Sequence, residues 1–317
     1  MELLKKLTQC SGASGREEKI SELIETEIKP CCDECYTDAL GNLIARKGSG
    51  GKKILVCAHM DEIGIVVTFK DEKGFLRFAP VGGLRAKDLM GRRVVFADGT
   101  VGVIGVENGT EKYTVQKMFI DTGNKGDIKI GDMGVFVGDF YEKDGAVISK
   151  ALDNRGGCYV AIEAMKQLKN TENEIYFMFT VQEEVGLRGA KTVAYNVPAD
   201  YAIAVDVTDV GDTPSDKPMA VKLGGGAAVK VMDRSVICHS EVRNKLIEIA
   251  DKNKIPYQLE VLTAGGTDAG AVHTTGSGIK TGAISIPTRY IHSPSEMADK
   301  NDIECCIRLL CGFLENA

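Results

Sequence analysis

Residues 174–206, EIYFMFTVQEEVGLRGAKTVAYNVPADYAIAVD, contain the sequence pattern that best indicates the fold class. Its first and last segments, EIYFMFTV and YAIAVD, are short and dominated by apolar residues, as are strands that are buried on both faces of a parallel sheet. The segment LRGAKTVAY between them is predicted to form a helix. This strand–helix–strand unit indicates an α/β fold, and acidic residues stand at the end of both strands.

The same alternation continues on either side of this unit. Upstream, the spacing of Ser14 and Glu17 in SGREE predicts a capping box at the start of a first helix. The other predicted elements are a strand at ILVCAH (54–59), a helix at 154–168, a helix at 240–253, strands at YQLEV and TGAISI, and a last helix at 301–315. Strand–helix alternation predicts a mostly parallel sheet flanked by helices.

Residues 64–149 have a different pattern. They contain the short β-rich runs IVVTF, RRVVF, VGVIGV, GVFVG and AVISK, separated by glycines and Asp-Gly or Lys-Gly pairs. This pattern is typical of a small β-barrel or sandwich. We therefore predict one α/β domain, formed by residues 1–63 and 150–317, that is interrupted by an inserted β domain at 64–149.

Composition excludes several classes of protein. The 317 residues are 44% hydrophobic and 26% charged, with a net charge of -6 and no basic block, so nucleic-acid binding has little support. No apolar run approaches the roughly 20 residues that span a bilayer, and the first residues lack a signal-peptide core. We expect a cytoplasmic protein with no membrane partner. The 10 cysteines include no second C-x-x-C knuckle, so reduced thiols are expected.

Histidines and carboxylates stand where the predicted strands end. Ligands of open α/β sheets bind beyond the carboxyl ends of the strands, so these side chains are expected to meet on one rim. Imidazole and carboxylate groups suit zinc, cobalt or manganese, and one aspartate can bridge two ions. The candidate ligands of a two-metal hydrolase are His59, Asp153, Glu184, Asp206 and His292.

Each candidate also has a plainer interpretation. Asp153 is suited to a helix N-cap, and Glu183 with Glu184 suits a solvated loop. Asp206 ends an apolar strand and would need a partner if buried. His239 and His273 lack a comparable acidic context and are predicted not to be ligands. GGTDAG, residues 265–270, predicts a tight turn that could shape a substrate pocket.

The motifs AHMDEIG, ALDNRGG, QEEVGLRGA, DVTD, GGTDAG and RYIHSPSE occur in this order over nearly the whole chain. With them the sequence resembles the tetrahedral aminopeptidases, cytoplasmic metallopeptidases that include glutamyl aminopeptidases and proteins labelled endoglucanase M. The resemblance implies a zinc-peptidase-like fold. It implies that His59, Asp153 and Asp206 hold one metal, and that Asp153, Glu184 and His292 hold the other.

The resemblance also implies the remaining roles. Glu183 would be the general base, and Asp61 would orient the ring of His59. The implied cofactors are two divalent ions per subunit, zinc or cobalt and in some cases manganese. The implied activity removes N-terminal residues from oligopeptides with a free N-terminus. The inserted domain would pair subunits into dimers, and the dimers would assemble into a tetrahedral dodecamer.

Other functions stay open at the level of sequence. A related metal-dependent amide hydrolase, such as a deacylase or carboxypeptidase, fits the same ligands. A glucanase is disfavoured because the chain has no Trp and 6% aromatic residues. A scaffold without chemistry gains no support, since every expected ligand is present. An acidic substrate preference would need a cation in the pocket, for which Arg289, Lys230 and Arg234 are candidates, and an apolar preference is equally compatible.

Overall fold

The structure, a computed structural model, describes residues 1–169, 171–214 and 218–317. The helices in this part of the chain are α1 (Glu2–Gln9), α2 (Glu18–Ile28), α3 (Leu152–Gln167), α4 (Arg188–Asn196), α5 (Ser240–Asn253), α6 (Ala269–Val272) and α7 (Lys300–Asn316). The strands are β1 (Glu34–Thr37), β2 (Leu43–Lys47), β3 (Lys53–His59), β4 (Gly64–Lys70), β5 (Leu76–Val81), β6 (Arg93–Phe96), β7 (Val101–Val106), β8 (Met118–Asp121), β9 (Met133–Phe136), β10 (Tyr141–Lys143), β11 (Ala146–Ser149), β12 (Glu174–Thr180), β13 (Tyr201–Thr208), β14 (Ala227–Met232), β15 (Tyr257–Val261), β16 (Lys280–Arg289) and β17 (Glu296–Asp299).

An eleven-stranded sheet forms the centre of the fold. Its main path runs β1-β2-β12-β3-β13-β16-β17-β11-β10, and β14 with β15 branches from β16. The strands β12, β3, β13 and β16 are parallel to one another, whereas the pairings toward both ends of the path are antiparallel. The predicted α/β class is confirmed, with a sheet that is parallel at its centre and antiparallel at its edges. The carboxyl ends of the parallel strands therefore share one rim.

Strand β3 shows why the central runs are apolar throughout. Ile54, Val56 and Ala58 point into the core that contains α1, α2, α3, α5 and α7. Leu55 and Cys57 point to the opposite face, where they join the core that contains α4. Successive side chains of a strand alternate between its two faces, so a strand that is covered on both sides must be apolar at every position. The sheet is thus sandwiched between two helical layers.

A closed antiparallel barrel is inserted after β3. Its strands follow the order β4-β5-β8-β7-β6-β9, and its interior is a separate core that includes Ile65, Phe78 and Phe136. The run AVISK, which the sequence pattern groups with the insert, instead forms β11 and pairs with β17 of the large sheet. The reason is burial, because Val147 of β11 packs into the main core. The division into two domains otherwise stays a prediction.

The capping box expected at Ser14 is wrong. Helix α2 begins at Glu18, and neither Ser14 nor Glu17 caps it through a side chain. Ser14 Oγ donates instead to Asp61 Oδ2 at 2.6 Å, and Glu17 Oε1 accepts from the backbone N–H groups of Gly15 and Gln182. These two side chains bind the N-terminal segment to the sheet rim, so they are not available to the helix.

Two expectations about the whole chain have simple outcomes. All ten cysteines are free thiols, as the sequence predicts, and Cys57, Cys158, Cys238, Cys305 and Cys306 are buried. Among the helices of the described residues, each is too short or too polar to cross a membrane.

Candidate active site

The predicted site residues meet on the shared rim of the sheet. They surround a cavity of about 720 Å³ that lies between the large sheet and the barrel. The residues of the prediction that line it are His59, Asp153, Glu183, Glu184, Asp206 and His292. Three elements of the parallel centre supply them directly, because His59 ends β3, Asp206 lies in β13 and the two glutamates follow β12.

Asp153 lies between the two histidines. Its Oδ1 is 3.1 Å from His59 Nε2, and its Oδ2 is 3.3 Å from His292 Nε2. Asp153 and Asn154 have non-helical backbone angles inside α3, and the peptide bond between them is cis. The carboxylate of Asp153 faces the cavity with one oxygen toward each imidazole.

The side chains form two compact groups of candidate donor atoms. One consists of His59, Glu183 and Asp206, and the other of Asp153, Glu184 and His292. Within each group the donor atoms lie within 4.8 Å of one another. The resemblance implies Asp153, and not Glu183, as the third ligand of the first metal. In the structure, Asp153 is the nearer to His59 Nε2, at 3.1 Å, while a Glu183 oxygen lies 3.9 Å away.

Asp61 contacts three of the candidate site residues at the rim of the sheet. Its Oδ1 lies 3.3 Å from His59 Nδ1, and its two carboxylate oxygens accept the backbone N–H groups of Glu183 and Glu184. Gln182 has a left-handed φ of 55°, so the chain leaves strand geometry immediately before the glutamates. Adjacent strand residues would point to opposite faces, and this turn is what lets both glutamates face the cavity.

The ring of His292 is oriented by the loop that follows β5. His292 Nδ1 lies 2.9 Å from the carbonyl oxygen of Gly83, which leaves Nε2 directed at Asp153 when Nδ1 carries the proton. A Cβ atom on Gly83 would lie only 2.7 Å from His292 Nδ1, so a larger residue would displace the ring. The barrel thus contributes a backbone contact to the site.

Glu296 contacts the backbone of two candidate ligands, and the sequence analysis did not identify it. Its Oε1 accepts the backbone N–H of His292 at 2.8 Å, and its Oε2 accepts the backbone N–H of Asp153 at 3.0 Å. The side chain is 1% exposed. Glu296 ends the motif RYIHSPSE and begins a strand that continues with apolar residues, which was the only available signal. One buried carboxylate therefore holds the backbone of two candidate ligands, His292 and Asp153, that are far apart in the sequence.

Asp268 is a second residue whose position the sequence did not reveal. It lies in the glycine-rich turn 265–270 and is 2% exposed. Thr180 Oγ1, at the end of β12, donates to Asp268 Oδ2 at 2.5 Å. Burial raises the pKa of Asp268 to about 6. The turn is therefore attached to the rim of the sheet through a buried carboxylate.

The electrostatics of the cavity are those of crowded, desolvated acids. Burial raises the pKa of Glu183 and of Asp206 well above the ordinary range. The charge of Asp206 adds to the shift of Glu183, and the charge of Asp153 adds to the shift of Asp206. Burial alone would lower the pKa of His59, but the charge of Glu183 and the hydrogen bond with Asp153 raise it well above its usual value. Positive charge at the centre of the cluster would relieve this repulsion, and divalent cations supply it.

The donor set also fits a metal chemically. It combines two imidazoles with four carboxylates, the mixture that borderline divalent ions prefer. Glu184 Oε1 is buried without a hydrogen-bond partner, 3.2 Å from His292 Nε2. Such an acceptor is costly unless another group binds it. His239 and His273, both in the described part of the chain, lie outside the two donor groups.

An α/β sheet with histidines and carboxylates gathered at the carboxyl ends of its parallel strands defines a metal-dependent hydrolase. The family model described as M42 glutamyl aminopeptidase matches residues 41–309, and the chain belongs to this family. The resemblance to the tetrahedral aminopeptidases is thereby confirmed. The predicted activity of a metal-dependent aminopeptidase is favoured over the deacylase, carboxypeptidase and glucanase alternatives.

Three similar proteins support this assignment. A protein named putative aminopeptidase from Acetivibrio thermocellus is 56% identical, and the match covers 98% of this chain and 96% of that protein. An aminopeptidase of the archaeon Desulfurococcus kamchatkensis has a TM-score of 0.95 at 38% identity, covering 100% of this chain and 94% of that chain. A Pyrococcus horikoshii peptidase, described as assembling into a tetrahedron or a large octahedral shell, has a TM-score of 0.89 at 38% identity, covering 100% and 99%.

Proposed function

We propose that the cavity holds two divalent metal ions and removes the N-terminal residue of oligopeptides. The observation that carries the proposal is the placement of Asp153 between two imidazoles, with one carboxylate oxygen toward His59 and the other toward His292. This is the arrangement a bridging ligand needs. Zinc, cobalt and manganese all accept these donors.

The donor atoms of the chain divide between the two ions. His59 and Asp206 would hold the first, Glu184 and His292 the second, and Asp153 both. When bound, such ions lower the pKa of an attacking water and polarise the carbonyl of the bond to be cut. Asp61 keeps the His59 ring in place through Nδ1, so that Nε2 is the atom presented to the cavity.

Glu183 is the proposed general base. Its side chain is 10% exposed, which places it at the cavity wall in contact with solvent. A carboxylate oxygen of Glu183 takes the proton of the attacking water and then delivers it to the amine nitrogen of the departing peptide. Asp61 Oδ1 accepts the backbone N–H of Glu183 and so positions the backbone of this residue at the rim of the cavity.

The proposed metal site favours a free N-terminus. Asp153, Glu184 and Asp206 are proposed ligands whose negative charge the two ions would offset, so a free α-amine would be held through its lone pair by one ion and through its N–H groups by a neighbouring carboxylate oxygen. An acylated N-terminus is a planar amide without a basic lone pair, so it would lack this contact with the ion. We therefore expect cleavage after the first residue of a free-amine peptide, which separates an aminopeptidase from a deacylase.

The substitution Glu183→Gln tests the assignment of the base. We expect the variant to bind two metal ions per subunit and to lose about 10²–10⁴-fold in kcat, the usual contribution of a positioned base. Glu184→Gln is expected to lose one ion, and Glu172→Gln, at an exposed loop position, to behave as wild type. Metal analysis and initial rates on a free-amine peptide distinguish these cases. A Glu183→Gln enzyme with near-normal turnover, or with one ion missing, would assign Glu183 a different role.

We also propose that the protein forms a homo-oligomer, a tetrahedral dodecamer built from dimers that the inserted β domain pairs, with active sites facing an inner space. The similar Pyrococcus horikoshii peptidase is described as a tetrahedral or octahedral assembly. The barrel has large apolar side chains on its outer surface, among them Phe69, Val101 and Val103. Light scattering on metal-loaded protein should give the mass of a large assembly. A monomer under these conditions, with a chelator-treated sample as the control, would refute the proposal.

A further inference from the structure

We infer that the cavity selects peptides whose first residue has an apolar side chain of leucine or methionine size, and that Leu262 determines this selection. The inference rests on the proposed function and adds the substrate class. It follows from the apolar residues that line the cavity beside the candidate metal ligands, which we call the apolar wall: Leu187, Val207, Leu262 and Ile291.

Apolar side chains form much of this wall. Leu187, Leu262 and Ile291 line the cavity and are each half-buried, so part of their surface is free to contact a substrate. Val207, next to Asp206, lines it as well and is 7% exposed. A leucine or methionine side chain placed here would exchange water contact for apolar contact, which is favourable in proportion to the area removed from water.

The loop that carries Leu262 is held in place by polar contacts outside the cavity. Thr267 Oγ1 donates to Asp233 Oδ2 at 3.2 Å, and the Thr267 N–H donates to Ser235 Oγ at 3.3 Å. A Cβ atom on Gly266 would lie 3.1 Å from Ser235 Cβ, so the glycine lets the loop approach this anchor closely. The wall around Leu262 is therefore positioned before a substrate arrives.

Cations that could recognise an acidic side chain are already paired. Among the described residues that line the cavity, Arg85 is the only lysine or arginine. Its Nε lies 2.6 Å from Asp88 Oδ2, and its side chain is 72% exposed on the barrel side. A glutamate side chain that lay against Leu187, Leu262 and Ile291 would lose its hydration without gaining a buried cation as partner, which costs free energy.

The other cations considered from the sequence are also engaged. Arg289 forms two hydrogen bonds to Asp212. Lys230 is fully buried and is ion-paired with Glu260 and Asp233. Neither residue lines the cavity, and Arg234 does not line it either. A lysine at the substrate N-terminus would have to place its ammonium group against the apolar wall, which costs free energy through desolvation.

Initial rates on a panel of aminoacyl anilides test the inference with the metal-loaded full-length enzyme. The panel contains leucine, methionine, alanine, lysine and glutamate derivatives. We expect kcat/KM for leucine and methionine to exceed that for glutamate by about 100-fold and that for alanine by about 10-fold, the range that apolar pockets provide. A glutamate or lysine derivative as the best substrate would overturn the inference and leave the proposed function intact. Failure on every derivative would instead overturn the proposed function.

Substitutions of two leucines, Leu262 and Leu259, test whether Leu262 determines the preference for the first residue of the substrate. Leu262→Ala should lower kcat/KM for the leucine derivative by about 10-fold and leave the alanine derivative within about 2-fold. Leu259→Ala is the matched control, because Leu259 lies on β15, is 47% exposed and does not line the cavity. Leu262→Lys should raise the rate on the glutamate derivative. Equal losses on all substrates in Leu262→Ala, or glutamate cleavage that disappears in Arg85→Gln, would contradict the inference.

Discussion

Replacing Glu296 by glutamine tests whether this buried carboxylate keeps two candidate metal ligands, His292 and Asp153, in position. In the wild type, its oxygens accept the backbone N–H groups of His292 and Asp153 at 2.8 and 3.0 Å. Glutamine has nearly the same shape but only one acceptor oxygen. Its NH₂ group would face whichever backbone N–H has lost its acceptor, and two donors then point at each other.

The size of the effect follows from burial. Glu296 is 1% exposed, so water cannot replace the lost acceptor. One buried N–H without a partner costs about 1–3 kcal/mol. The same repulsion moves the backbone of Asp153 or His292, and a displacement of about 1 Å at a reacting centre can lower turnover by about 10²-fold. We therefore expect Glu296→Gln to lower stability, weaken metal binding and reduce kcat together.

Three measurements on one preparation distinguish this role from a general structural one. Metal content after dialysis, kcat on a free-amine peptide, and the free energy of unfolding should all fall in Glu296→Gln. Glu304→Gln, at an exposed position of α7, is the matched control and should match wild type. If Glu296→Gln retained two ions per subunit with wild-type kcat, the reasoning about its hydrogen bonds would be refuted.

Two further substitutions test the contact of Gly83 with His292 and the buried carboxyl group of Asp302. Gly83→Ala should lower kcat by about 10-fold or more, because the new Cβ would lie 2.7 Å from His292 Nδ1 and displace the ring; unchanged kinetics would contradict this. Burial raises the pKa of Asp302 from its ordinary 3.8 to about 6, although N–H groups of Gly224 and Gly226 oppose the shift. Between these values the folded chain binds the extra proton, so its stability falls as pH rises through this window. The unfolding temperature of the wild type should therefore fall relative to that of Asp302→Asn as the pH rises from about 4 to about 7. A difference in unfolding temperature that stays constant over this range would refute the assignment.

The sequence predicted the elements that depend on local pattern. The runs at 54–59, 174–181 and 201–207 are dominated by apolar residues because both faces of the central strands are covered, and short apolar runs of this kind are typical of such strands. The order of strands and helices was then sufficient to predict that His59 and Asp206 share one rim. Residues at the carboxyl ends of parallel strands lie at the same edge of the sheet, whatever their separation in sequence. The candidate ligands could therefore be proposed as one group.

Features that depend on tertiary contacts were not readable. AVISK has the period of a strand, but the period does not say which sheet the strand joins. Ser14 and Glu17 have the spacing of a capping box, yet their partners include Asp61 and the N–H of Gln182, far away along the chain. Glu296 looks like any surface glutamate in the sequence, since its burial is produced by segments that meet only in the folded protein.

The apolar wall of the cavity is also produced by tertiary contacts and could not be read from a local sequence pattern. Leu187 follows β12, Leu262 follows β15 and Ile291 follows β16, so no local motif contains all three. The sequence therefore left an acidic and an apolar substrate preference equally open. In the folded protein, Arg289 and Lys230 are bound to their own acidic partners outside the cavity, and this pairing supports the apolar preference.

Metal-dependent aminopeptidase activity is tested by comparing one peptide with its N-acetylated form, using protein that is stripped of metal by a chelator and then reloaded with zinc, cobalt or manganese. We predict that release of the first residue from the free-amine peptide disappears on stripping and returns on reloading with two ions per subunit, and that the acetylated peptide is not cut. Undiminished cleavage by fully stripped protein, or cleavage of the acetylated peptide alone by the reloaded protein, would contradict this prediction.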